Sequence, residues 1–162
     1  MLLEELARQV LAESHAVIFS HEEAAARGDV DAVHDMRVAT RRLRVALGNF
    51  AVCCDRDARR EMNARIQQLA DALGGVRDLD VFALTLREQM PERPPADRPH
   101  ISALVKRLRD RRRRRLRSLR AFFGGAEYAI FKRDFLAVLG AAPEAAVVDH
   151  PPELITAHGQ SL

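Results

Sequence analysis

His34, Arg37, Arg41 and Arg44 recur at intervals of three and four residues. On a helix, at 100° per residue, they share one arc of roughly 80° and form a row about 15 Å long. An imidazole and three guanidiniums so arranged can track a linear anion. Each guanidinium offers a planar fork of donors suited to phosphate oxygens, and the imidazole can donate in either charge state. The alternative is a solvated basic face, the usual meaning of a helical charge run. A second row follows later in the chain. Lys106, Arg109, Arg113, Arg117 and Arg120 also share an arc of roughly 80°. At its centre stand five consecutive arginines, Arg111 to Arg115, a run that could serve as a nuclear-localisation or nucleic-acid patch.

Other chemistries find less support. No phosphate-cradling G-x-x-x-x-G-K-[ST] loop occurs. Asp78 and Asp80 are two apart, so on a helix they point to different sides and make a poor acid–base or Mg²⁺ pair. Capping a helix, or holding an arginine of the first basic helix, suits them better. His15 and His21 are six apart, not the three or four of a metal pair on one face. A metal at His34 would meet arginines as neighbours, and a phosphoacceptor role there is less favoured than binding. No catalytic residue, metal site or cofactor is therefore expected, and the chain is expected not to be an enzyme.

The elements that must position these residues read as helices. Leu2 to Arg27 is the first, with Leu3, Leu6, Val10, Val17 and Phe19 as apolar positions and Gly28 at its end. Asp29 is a good N-cap for the first basic helix, Val30 to about Cys53. Its apolar arc is Met36, Thr40, Leu43, Leu47 and Phe50. A turn near Asp55 to Asp57 leads to a helix over 58–73, which Gly74-Gly75 is expected to break. Arg77 would open the next, ending near Met90. The stretch from Pro91 to Pro99 holds four prolines and reads as a stiff loop. The second basic helix runs from about His100 to Phe123, and Arg112 and Arg115 interrupt its apolar side. They must snorkel out or pair with acids. Gly124-Gly125 precedes a last helix over 126–139. The predicted fold is thus an all-α bundle of about six helices over 1–140, with a poorly ordered tail over 141–162.

Two stretches carry a resemblance. His34-Asp35-Met36-Arg37-Val38-Ala39-Thr40-Arg41-Arg42-Leu43-Arg44 has the pattern H-x-x-R-V-x-x-R-R-L-R, and Leu73-Gly74-Gly75-Val76-Arg77-Asp78-Leu79-Asp80-Val81 has the pattern L-G-x-x-R-D-x-D-V. Together they resemble the CHAD domain (conserved histidine α-helical domain). The resemblance implies an all-helical domain that binds inorganic polyphosphate, or another polyanion, in a basic groove without catalysis. It places His34, Arg37, Arg41, Arg42, Arg44 and Arg77 in that groove. If the bundle sets the two basic helices side by side, Lys106, Arg109, Arg113 and Arg117 join them. Family members usually carry two similar helical halves, and no second His/Arg-rich helix follows Leu139. The chain is expected to represent the first half, with a homodimer supplying the other.

Composition agrees with this reading. The chain has 162 residues, 48% of them hydrophobic, enough for one domain with a real core. Lys106 and Lys132 are its only lysines, so arginine dominates its basic residues. Nucleic-acid binding is the competing function, but the basic helices lack interleaved aromatics for base stacking and Tyr128 is the only tyrosine. No helix-turn-helix spacing or zinc motif is apparent. Cys53 and Cys54 are adjacent, which suits free thiols rather than a disulfide or zinc site. No basic-then-apolar leader and no long apolar run appear, so a cytoplasmic protein without membrane contact is expected. The resemblance adds polyphosphate granules as a location.

Overall fold

The computed structural model describes residues 2–51 and 56–138. Cys53, Cys54 and the tail over 141–162 lie outside them. Six α-helices follow in order: α1 (Leu2–Ser20), α2 (Glu22–Arg27), α3 (Val30–Asn49), α4 (Arg56–Gln89), α5 (Arg98–Phe123) and α6 (Ala126–Val138), with a 3₁₀ turn over Met90–Glu92. There is no strand among the described residues, so the chain is an all-α bundle, as its apolar spacing predicts.

α3 ends at Asn49, short of the expected Cys53, and two further boundaries differ from expectation. The first predicted helix is broken at His21. Beyond the break Glu22 accepts hydrogen bonds from Tyr128 Oη at 3.0 Å and Lys132 Nζ at 2.7 Å, tying α2 to α6. The second difference matters more: Gly74-Gly75 does not interrupt α4, which runs unbroken for 34 residues. Neither glycine has a positive φ. Each instead lets an arginine lie against the helix. A Cβ on Gly74 would stand 3.1 Å from Arg37 Nη1, and one on Gly75 would stand 3.4 Å from Arg115 Cδ. The helical cost of glycine, about 1 kcal/mol each against alanine, is smaller than what packing along α4 supplies.

The turn between α2 and α3 is legible in the sequence. Gly28 takes φ +94° and caps α2, and the Asp29 side chain accepts from Ala32 N at 2.8 Å to cap α3. The core is built from Leu11 and Ile18 of α1, Met36, Leu43 and Leu47 of α3, and Ile66, Leu69, Leu73 and Val76 of α4. Leu116 and Leu119 of α5 and Tyr128, Phe131 and Phe135 of α6 complete it. On α1 the buried seam is Ala7, Leu11 and Ile18, whereas the predicted Leu3, Leu6 and Val17 are exposed. Both sets have helical spacing, and only the neighbouring helices decide which faces inward.

Partner positions set the directions. Arg44 meets Gln67 and Arg37 lies at Gly74, so α3 and α4 are antiparallel. Arg112 meets Asp80, Arg115 lies at Gly75 and Ser102 reaches Met90, so α4 and α5 are antiparallel too. Extending this register sets the start of α3 level with about residue 81 of α4. The rest of α4 and the first half of α5 project beyond it as a two-helix arm about 12 Å long.

Candidate functional site: a cationic cleft between α3 and α4

The α3 helix divides as its spacing predicts. Met36, Thr40, Leu43 and Leu47 are buried, and His34, Arg37, Arg41 and Arg44 are exposed beside them. Thr40, wholly buried, donates its hydroxyl to the Met36 carbonyl at 2.7 Å. Against this face α4 forms the second wall of an open cleft of about 450 Å³. The α3 wall contributes His34, Arg37, Arg41 and Arg44; the α4 wall contributes Gln67, Asp71, Arg77 and Asp78. Val38, Ile66, Ala70 and Val81 supply apolar surface between them.

The cleft is polarised. All cations but Arg77 come from α3, and both carboxylates come from α4. Among the described residues Arg37, Arg41 and Arg77 make no ion pair or side-chain hydrogen bond. Arg44 donates to Gln67, and Gln67 donates to Asp71. These three groups bond to one another across the two walls, whereas Arg37, Arg41 and Arg77 line the cleft without such a tether among the described residues.

The other expected site residues lie elsewhere. Arg42 faces a second, largely apolar groove of about 400 Å³ between α1 and α3, lined also by Val10, Val45, Ala46 and Phe50; Arg41 borders both grooves. Lys106, Arg109, Arg113 and Arg117 are exposed on α5, and none of them lines the α3–α4 cleft. The two basic rows therefore do not face each other across it. Arg37 and Arg115 approach α4 at successive residues, which stand 100° apart around a helix, so α3 and α5 flank α4 on different sides. Arg113 is also engaged by Asp110, and its hydrogen bond holds the Asp110 carboxyl below its ordinary value.

Asp78 and Asp80 separate as their spacing predicts, but neither begins a helix, since α4 passes straight through them. Asp80 holds an arginine of α5, not of α3. It accepts from Arg112 Nε and Nη2, while Arg112 Nη2 also donates to the Gly28 carbonyl at 2.9 Å. This pair is largely buried and joins α4, α5 and the α2–α3 turn. Gln67, Asp71 and Asp78 were not expected in the site. With Gly74 they share one arc of roughly 60° once α4 is read as continuous; a break at Gly74 splits that arc and hides it.

No group of three or more His, Cys, Asp or Glu side chains among the described residues could hold a metal ion. No helix among them is long and apolar enough to cross a membrane. No curated protein matches the chain. A family comparison does: the CHAD domain matches residues 9–160, nearly the whole sequence and both stretches that line the cleft. The chain belongs to the CHAD domain family.

Proposed function

We propose that this chain binds inorganic polyphosphate in the α3–α4 cleft, as a binding module with no catalytic step of its own. The observation that carries this reading is the α3 wall. His34, Arg37, Arg41 and Arg44 line one side of the cleft, and Arg37 and Arg41 have no carboxylate partner among the described residues. The family's association with polyphosphate supports it. A linear polyanion laid along α3 would receive charge-assisted hydrogen bonds from arginines already in place. The apolar floor would strengthen the field it meets. Such a polymer is read by charge density, since it has no bases to stack. The same reading places the protein where the polymer accumulates, at polyphosphate granules.

Competition by fluorescence anisotropy tests this. Polyphosphate is expected to bind more tightly than single-stranded or duplex DNA of equal charge at matched salt, and to weaken as salt rises. Charge reversal at Arg37 and Arg41 is expected to weaken it at least tenfold with helical content unchanged, since exposed arginines contribute little to the fold. Equal or tighter binding of single-stranded DNA would favour the nucleic-acid function instead. The exposed α5 row gives a second expectation. Lys106, Arg109 and Arg117 act as a further contact for polymers long enough to leave the cleft. Reversing Arg109 and Arg117 should weaken long-chain polyphosphate and leave tripolyphosphate unchanged.

A further inference from the structure

Among the described residues, Arg44 is the one arginine of the α3 row with a side-chain hydrogen bond to the opposite wall. Its Nη1 donates to Gln67 Oε1, and Gln67 Nε2 donates to Asp71 Oδ1 at 2.7 Å. The polarity of this chain is forced by chemistry. A guanidinium has only donors and an ionised carboxylate only acceptors. An amide between them satisfies both only with its oxygen toward Arg44 and its nitrogen toward Asp71. Gln67 and Asp71 are four residues apart on α4, the spacing at which helical side chains meet. Asp71 therefore sets which way the Gln67 amide faces, and that amide sets where the Arg44 guanidinium lies.

The arginines that brace the bundle are held differently. Arg112 is paired with the Asp80 carboxylate, and Arg65 with Asp134 and Glu61. A carboxylate holds more strongly, but it cancels the charge it holds. Arg44 is held by a neutral group, with the carboxylate set one hydrogen bond further back.

We infer that Gln67 and Asp71 are positioning residues, which keep Arg44 in the cleft without neutralising it. The role in binding rests on the polyphosphate reading, whereas the tether itself is a property of the free protein.

Two measurements test it. In the free protein, NMR of the Arg44 side chain reports rotation of the guanidinium about its Nε–Cζ bond. Rotation is expected to be slow in the wild type and faster in Q67L and D71L. Equal rates in all three would overturn the tether whether or not polyphosphate binds. The second measurement is polyphosphate affinity across a salt series for the wild type, Q67L, Q67E, R44A and R44A/Q67E. Q67L is expected to keep the wild-type salt slope, because Arg44 stays charged. Q67E is expected to bind about tenfold more weakly, the worth of one charge-assisted hydrogen bond. Its log–log slope should fall by about 0.7, one fewer phosphate contact on a single strand. In the R44A background Q67E should cost less than in the wild type, because no guanidinium is left to neutralise and only the repulsion of the added carboxylate remains. A wild-type slope in Q67E, or the same loss with and without Arg44, would overturn the inference. Failure of the wild type to bind polyphosphate at all would instead overturn the functional reading, and the rotation rates would still decide the tether.

Discussion

Arg37 lies so close to Gly74 that a Cβ there would stand 3.1 Å from its Nη1. The group in the way is the far end of a flexible side chain, which can move by a few tenths of an ångström. Gly74→Ala is therefore expected to raise stability by about 0.5–1 kcal/mol, the helical preference of alanine over glycine. It should weaken polyphosphate binding at the same time, because the Arg37 guanidinium is displaced from its present position in the cleft. Thermal melts and anisotropy on the same samples would show the two effects with opposite signs. His15 gives a pH-dependent expectation far from the cleft. Its ring stacks on Phe135 at 4.9 Å and meets Phe19 at 4.3 Å, and its Nε2 is buried with no hydrogen-bond partner among the described residues. Burial, and then the charge of Lys132, push this imidazole below the ordinary histidine range. The folded chain therefore resists a proton that the unfolded chain accepts below about pH 6.5. Stability should fall as pH drops through that window and stay level above it. His15→Leu should lose less melting temperature than the wild type between about pH 7 and 5; equal losses would count against this account.

At the scale of elements, the α2–α3 turn and the continuity of α4 together place the cleft. Gly28 has φ +94°, and a Cβ on it would stand 2.6 Å from Leu116 Cδ2. Backbone strain and a clash with a core residue of α5 then act together. Gly28→Ala is expected to cost about 1–3 kcal/mol, read as a lower urea midpoint with an unchanged m-value. Because Gly28 does not itself line the cleft, the fraction that folds should keep its polyphosphate affinity. The contrast with Gly74 is physical. One glycine is needed for its backbone conformation, the other for the space beside it.

For the whole molecule, the arm beyond the start of α3 carries exposed apolar side chains on both of its helices. Phe82 is 49% exposed, Leu84 52% and Leu104 38%. Leu84 continues the α4 stripe of Val81, which lines the cleft, but it lies beyond the start of α3 and stays half exposed. A second copy related by a two-fold axis would bury this surface and bring a second set of α3 cations near the first. Analytical ultracentrifugation is expected to show a dimer that Phe82→Glu and Leu84→Glu dissociate. A monomer at every concentration would dismiss it.

Local spacing determined the all-helical class, the Gly28–Asp29 caps and the division of α3 into a buried face and a row of His34, Arg37, Arg41 and Arg44. These features depend on residues within about one turn of each other, and such distances are written in the chain. The two sequence stretches likewise sufficed for the family. Tertiary structure alone decided that α4 runs through Gly74-Gly75, that Gln67, Asp71 and Asp78 form the second wall, and that the α5 row lies outside the cleft. The reason is energetic. A glycine pair weakens a helix by only about 2 kcal/mol, less than burial of Leu69, Leu73 and Val76 on either side of it returns. Which helices become neighbours follows from how those buried side chains pack together, and no local spacing records that.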